Sequence, residues 1–324
     1  MKKNELLFLF KEHLKVLNRT SATIESYCEN ARLYLAEMDK DIKAVTASDM
    51  KAYVASLFAH KTDDNKKYAT STVIVKVRAL KRFFEFLENA NHIFINPMEY
   101  IQEPKKEKKQ PRPVLTVKEV QKILEQPNLG TLIGIRDRTV LELFYSTGIR
   151  LNELCNLSIY DADLQGGMLR INQGKGQKDR VVPMGKHAVR FLREYITKVR
   201  PHYTKKHPRN RSLIVDRYGK PISKQMVGIH VRNYARDAKV KKKVSPHTFR
   251  HTFATELVKN GADILAVQKM LGHVHLVTTQ EYIRALGLDL KKAHTKSHPR
   301  EKDKVKPNAV KPQIKRIREK YASR

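Results

Sequence analysis

The sequence predicts a mainly α-helical protein with a small antiparallel sheet, built in two folded parts. Three observations predict it. Apolar residues recur at helical spacing through the first hundred positions. A proline- and lysine-rich break follows at 104–113. Beyond it the apolar period changes briefly, near 168–183, before helices resume. At 324 residues and 40% hydrophobic, the chain can form one large or two medium domains with proper cores.

The first part, 1–103, reads as a bundle of four amphipathic helices. Leu6, Leu7, Phe10, Leu14 and Leu17 mark the first. Thr20-Ser21 opens the second, whose stripe is Ile24, Tyr27, Ala31, Tyr34 and Leu35. Ser48-Asp49 is expected to cap the third, through Tyr53, Leu57 and Phe58. The fourth runs from about Ser71 through Val77, Leu80, Phe83, Phe84 and Leu87. Lys76, Arg78, Lys81 and Arg82 decorate it. A solvated face is the usual outcome for such residues, and the global charge favours phosphate contacts instead.

Residues 104–113 hold three prolines and five basic residues, which prevent regular structure and favour an extended track along a polyanion. They read as an interdomain linker that also touches that polyanion. The second domain, 114–290, begins at Thr116-Val117-Lys118-Glu119, a capping box before an apolar helix. Helical patterns continue to about Leu157. Met168–Asn172 and Arg180–Pro183 read as short strands around a tight turn at 174–179, with Leu213-Ile214-Val215 as a third strand. Helices are expected at about 186–200, 223–238, 246–259 and 263–271. The tail, 291–324, carries 13 Lys+Arg against 3 Asp+Glu and is expected to be largely disordered when free.

Charge bounds the function. Lys+Arg 65 against Asp+Glu 33 gives +32 and a pI near 10.1, which predicts a polyanionic partner, nucleic acid before anionic membrane. Cys28 and Cys155 stand far apart without metal-knuckle spacing, so neither a disulfide framework nor a zinc knuckle is expected, and a reducing cytoplasm fits. The apolar run Leu6–Phe10 stops at Lys11-Glu12-His13 with no small-residue cleavage site, so no leader is expected. No stretch reaches the roughly 18–20 apolar residues of a membrane helix.

Four short patterns carry chemistry. Ser245-Pro246 is a good helix start, and it sets His247 and Arg250 at i, i+3 on the opening turns, where a helix N-terminus already favours an anion. In isolation such a pair is more often a structural histidine beside a surface arginine. A zinc-hydrolase helix would carry glutamate at 248, and Thr248 stands there. Arg150 follows Gly148-Ile149 at a turn, where glycine lets a charged group approach a ligand closely. Glu153 either fixes that turn or faces solvent. Lys175 lies between Gly174 and Gly176 at the hairpin tip, able to give an oxygen a proton, with Lys178 as a rival. Tyr282, one of 13 tyrosines, gains weight from Leu271-Gly272-His273 upstream, His273 lying nine residues before it.

The order Arg150, Lys175, His247-x-x-Arg250, His273, Tyr282 resembles the tyrosine recombinase, or phage integrase, family. The local wording Gly148-Ile149-Arg150-Leu151-Asn152-Glu153-Leu154, Gly174-Lys175-Gly176-Gln177-Lys178-Asp179-Arg180 and His247-Thr248-Phe249-Arg250-His251 is similar to its Xer-type and simple-integrase branches, over roughly 1–290. The resemblance implies a SAM-like helical domain that grips the core site and an α+β catalytic domain. It implies a site-specific recombinase that cuts double-stranded DNA at an inverted-repeat core site. The route is a 3′-phosphotyrosyl intermediate and a Holliday junction, in a homotetramer, without metal, ATP or other cofactor. Carried over by position, Tyr282 is the nucleophile, Arg150 and Arg250 stabilise the transition state, and His273 bonds the phosphate. Lys175 is the general acid and His247 assists the proton. An accessory protein is left open as a further partner. His275 departs from the small residue usual in the Xer-like branch, and 42 residues follow Tyr282. Two rivals share the scaffold: a silent DNA-binding protein and a type IB topoisomerase. The six retained positions oppose the first, and the short N-terminal domain opposes the second.

Overall fold

Among the residues that the computed structural model describes (3–62, 65–105, 113–172 and 179–272), four long helices lie in the first unit, Met1–Gln110. They are α1 (Lys3–Val16), α2 (Ser21–Glu37), α3 (Ala47–Ala59) and α4 (Thr70–Asn89). Thr20 caps α2 by accepting from the Thr23 amide, as the sequence implied. The α3 start differs. Thr46 is the N-cap and Asp49 closes the box by accepting the Thr46 amide at 2.9 Å, so Ser48 is not the cap. A Thr-x-x-Asp box satisfies two backbone donors, which Ser48, two residues later and followed at the third position by Lys51, could not do.

α4 supplies the centre of this core. Val73, Val77, Leu80, Phe83, Phe84 and Leu87 recur every three or four residues and are buried against Leu6, Phe10, Leu14 and Leu35. Phe10 meets Phe83 edge-on at 5.2 Å. Each such buried phenylalanine contributes about 1.5–3 kcal/mol over exposure. Leu17 and Phe58, assigned to apolar stripes from spacing, are exposed. On the outer face Arg78 forks onto Glu103 and Arg82 pairs with Glu85, so two of the four basic residues there carry their own counter-charge.

The second unit, Pro111–Arg324, contains α5 (Val117–Leu124), α6 (Leu132–Thr147), α7 (Leu151–Asn156), β1 (Ala162–Asp163), β2 (Met168–Ile171), β3 (Arg180–Pro183), α8 (Lys186–Glu194), α9 (Arg200–Thr204), α10 (Lys224–Asp237), α11 (Pro246–Lys259) and α12 (Ile264–Leu271). The fold is mainly helical with a small antiparallel sheet, as expected. Strand order is β1-β2-β3, with Leu169 opposite Val182 and Ile171 opposite Arg180. Leu169, Ile171 and Val182 point to the core, while Arg170 and Val181 face solvent. The turn expected at 174–179 lies outside the described residues up to 178, as does most of the linker, and so does the tail.

One expectation needs correction and another refinement. The third strand is Ala162–Asp163, not Leu213–Val215. Leu213, Ile214 and Val215 are fully buried, but their backbone is divided among single partners: the Leu213 amide donates to Leu157, and the Val215 amide to the Tyr195 hydroxyl at 3.0 Å. An apolar triplet therefore signalled core, not ladder. The helix expected over 186–200 forms and runs on to Thr204, but its hydrogen-bond ladder changes part-way. Pro201 has no N–H to continue the ladder, and the turn before it widens over Tyr195–Val199, the Arg200 amide donating to Tyr195 five residues back.

α6 runs through the centre of this unit, with Val140, Leu141, Leu143 and Phe144 buried. It also buries Arg136 and Asp137, 2% and 4% exposed, as an ion pair. Asp137 accepts in addition from the Tyr234 hydroxyl at 2.8 Å and meets His230 Nδ1 at 2.9 Å, so the buried charge is fully partnered.

Candidate active site

α6 ends at Gly148, whose φ of +60° is left-handed. A Cβ there would stand 2.4 Å from Phe253 Cδ1 and 3.1 Å from Leu271 Cδ2, so a side chain has no room between this turn, α11 and α12. Two residues on, Arg150 occupies the N-cap of α7. It has no short oxygen with which to cap, and the box is closed from the other side: Glu153 accepts the Arg150 amide at 2.8 Å. The same carboxylate accepts Arg150 Nη1 at 2.7 Å, while Nη2 reaches the carbonyl of Gly272 at 3.0 Å.

Arg250 lies on α11. Ser245 caps that helix by accepting the Thr248 amide, and Pro246 fills its first turn, as the sequence implied. Arg250 is 5% exposed; Nη1 donates to the Gly148 carbonyl at 2.7 Å and Nη2 to the Leu271 carbonyl. A third arginine joins them. Arg180, on β3, donates Nε to the Met270 carbonyl at 2.7 Å and grips Glu153 with Nη1 at 2.9 Å and Nη2 at 2.7 Å. Three consecutive carbonyls at the end of α12, those of Met270, Leu271 and Gly272, thus each receive a different guanidinium. Terminal carbonyls have no partner within their helix, and the helix dipole favours cations there, which explains the convergence.

The electrostatics follow from this geometry. Burial works to raise the Glu153 carboxyl pKa, but hydrogen bonds from the Arg150 amide and from the Arg150 and Arg180 guanidiniums prevail and hold it below its ordinary value. It is an anion between two cations. Arg150 is the open member of the set, with its side chain 32% exposed against 8% for Arg180. The arrangement can present a fixed guanidinium to an anion at the surface, braced from behind by buried ones.

His247 sits three residues before Arg250 on α11. It is exposed at a hollow also lined by Arg232, Lys243 and His251. Lys175, His273 and Tyr282 lie outside the described residues. Elsewhere, burial pushes the Cys155 thiol up to about 11 and the Tyr34 and Tyr195 hydroxyls to about 12, so these groups are poor nucleophiles. Among the described residues no group of three His, Cys, Asp or Glu could hold a metal ion, and no helix is long and apolar enough to cross a membrane.

Residues 113–287, which contain all six of the positions singled out by sequence, match the phage integrase family. The chain belongs to that family. This integrase-family chain is 39% identical over 224 residues to tyrosine recombinase XerD of Staphylococcus saprophyticus, covering 69% of the chain and 75% of that protein. It is 32% identical over 303 residues to tyrosine recombinase XerD of Listeria innocua, covering 92% and 99%. Among solved structures it shares the fold of the XerH site-specific recombinase bound to a palindromic difH substrate, with TM-score 0.69, 21% identity, and 91% of this chain and 84% of that one covered.

Within the integrase domain, sequence reasoning left Glu153 open and passed over Arg180. The structure makes Glu153 a bracket, not a solvent-facing residue. Arg180 stood in plain sight at the end of the Gly174–Arg180 stretch, but nothing in a strand residue's spacing reveals which helix end it reaches.

Proposed function

We infer that this chain is a site-specific DNA recombinase, a tyrosine recombinase that cuts and rejoins double-stranded DNA. The observation that carries the reading is the meeting of Arg150 and Arg250 at one helix end, in a chain of the phage integrase family. One hundred positions of sequence separate them, and His273 is the residue that follows Gly272.

In this reading the Tyr282 hydroxyl attacks the scissile phosphorus. The new bond is phosphorus to the tyrosine oxygen; the broken one is phosphorus to the 5′-oxygen. His247 assists removal of the tyrosine proton, and Lys175 gives a proton to the departing 5′-oxygen. Arg150 and Arg250, with His273, stabilise the extra charge on the pentavalent phosphorus. Donors already fixed in place spend nothing on reorganisation as the charge develops. The 3′-phosphotyrosyl bond keeps the energy of the broken phosphodiester. A 5′-hydroxyl from the partner duplex can therefore reverse the step through a Holliday junction, with neither ATP nor metal.

Residues 1–103 grip an inverted-repeat core site, 104–113 link the two domains along the backbone, 114–290 perform the chemistry and 291–324 add non-specific affinity. The +32 net charge supports a DNA partner. The reading includes a homotetramer on two duplexes, open to an accessory protein, acting in the cytoplasm.

The test is a nicked suicide duplex from DNA flanking the gene, resolved on a denaturing gel without added metal. Wild type is expected to give a covalent protein–DNA band and Tyr282→Phe none, with binding retained. A band persisting in Tyr282→Phe would remove Tyr282 from the nucleophile's role. Recombined circles from a two-site plasmid, as opposed to loss of supercoils alone, separate recombination from topoisomerase action.

A further inference from the structure

The Glu153 carboxylate receives four hydrogen bonds from Arg150 and Arg180. Oε1 accepts Arg150 Nη1 at 2.7 Å and Arg180 Nη1 at 2.9 Å; Oε2 accepts Arg180 Nη2 at 2.7 Å and the Arg150 amide at 2.8 Å. Arg180 spends its remaining fork position, Nε, on the Met270 carbonyl at 2.7 Å. It therefore joins three separate pieces of the chain: its own strand β3, the α7 turn that bears Arg150, and the last turn of α12. Its side chain is 8% exposed, and each of its three nitrogens donates to Glu153 or to the Met270 carbonyl.

Charge counting gives the second half of the argument. Arg150 and Arg180 together carry one positive charge more than Glu153, and the more exposed of the two is Arg150. Without Arg180, Glu153 would lose its bidentate cation, and the Arg150 guanidinium would be pulled from the phosphate towards that carboxylate. Lysine could restore the charge, but its single ammonium cannot serve the three acceptors of the fork in fixed directions.

We propose that Arg180 is a positioning residue for strand cleavage: it neutralises Glu153 and anchors the end of α12, so that Arg150 keeps both its place and its charge for the scissile phosphate. The proposal rests on the assignment of Arg150 to that phosphate.

The test compares full-length wild type, Arg180→Ala, Glu153→Gln and the double variant. The rate of covalent adduct formation on the nicked duplex is measured under single turnover, with DNA affinity measured in parallel. Arg180→Ala is expected to bind within about twofold of wild type and to cleave roughly 10- to 100-fold more slowly, the scale on which small misplacement acts. Glu153→Gln added to Arg180→Ala removes the carboxylate that captures Arg150, so the double variant is expected to cleave faster than Arg180→Ala alone. A merely structural role gives the opposite order, because two broken supports are worse than one. Wild-type cleavage by Arg180→Ala, or a double variant slower than Arg180→Ala, overturns the proposal. Should alanine prevent folding, Arg180→Gln takes its place in the same comparison, since it removes the charge and keeps a donor towards Glu153. Absence of any adduct in wild type overturns the functional reading and this proposal with it; an adduct in wild type with unchanged Arg180→Ala overturns the proposal alone.

Discussion

Arg250→Ala should show that one guanidinium serves both folding and cleavage. In the folded chain it is 5% exposed and donates to the carbonyls of Gly148 and Leu271, the ends of α6 and α12. Truncation leaves both acceptors without that donor. An unsatisfied buried acceptor costs about 1–3 kcal/mol, and relief from burying a charge returns part of it, so the net loss should be about 2–4 kcal/mol. Domains of this size are stable by about 5–15 kcal/mol, so the variant should still be folded at 25 °C in most of its molecules. Urea unfolding followed by circular dichroism measures the loss. Arg250→Lys should fall between wild type and alanine, because an ammonium reaches one carbonyl more easily than two. Adduct formation is then assayed well below the unfolding midpoint, where the unfolded fraction is too small to explain a cleavage defect. Cleavage is expected to drop by at least about 100-fold, the scale seen when one preorganised oxyanion donor is removed. An unchanged urea midpoint would refute the helix-end role; a wild-type cleavage rate at reduced stability would refute the transition-state role.

Three other outcomes follow from the same geometry. Gly148→Ala should lower stability by about 2–4 kcal/mol, combining the left-handed φ with the close approach to Phe253, and an unchanged urea midpoint would show that the turn relaxes freely. Glu153 has a folded pKa held below its ordinary 4.5, so it stabilises the fold above that value, and its contribution is lost as pH falls through the folded pKa. Glu153→Gln should therefore show a shallower loss of unfolding free energy below pH 4.5 than wild type, and equal slopes would contradict the bracket. Removing 291–324, with its 13 basic residues, should flatten the salt dependence of DNA binding, since each phosphate contact contributes roughly −0.9 to the log–log slope; an unchanged slope would mean that the tail does not engage DNA.

Much of the fold was legible because local rules decided it. The Thr116–Glu119 box, the Ser245-Pro246 start and the α4 stripe are set by residues within one or two turns of each other, and the structure keeps all three. The misses have a common cause in competition between equally good local signals. Thr46 and Ser48 both offered a cap for α3, and Thr46 prevails because Asp49 can close a box with it. Leu213–Val215 offered a strand, but its amides and carbonyls are claimed one at a time by Leu157, Tyr195 and Ile222. The 186–200 helix had the right period, and only the missing N–H of Pro201 marks where its ladder changes.

The site was legible in a different sense. Arg150 and Arg250 could be named, but their meeting could not, because it depends on which helix ends come together. The structure supplies a physical reason for that convergence. A helix C-terminus needs donors, arginine has five, and a guanidinium held by two carbonyls of different helices has little freedom left. Arg250 spans α6 and α12, Arg150 spans α7 and α12, and Arg180 spans β3, α7 and α12. The bonds that finish the helices are therefore the ones that orient the charges. A group fixed during folding need not be fixed again when a phosphate arrives, which is where preorganised electrostatics gains over water. In the proposed reading no arginine here can be removed for its chemistry alone, so cleavage and stability must be measured together on every variant.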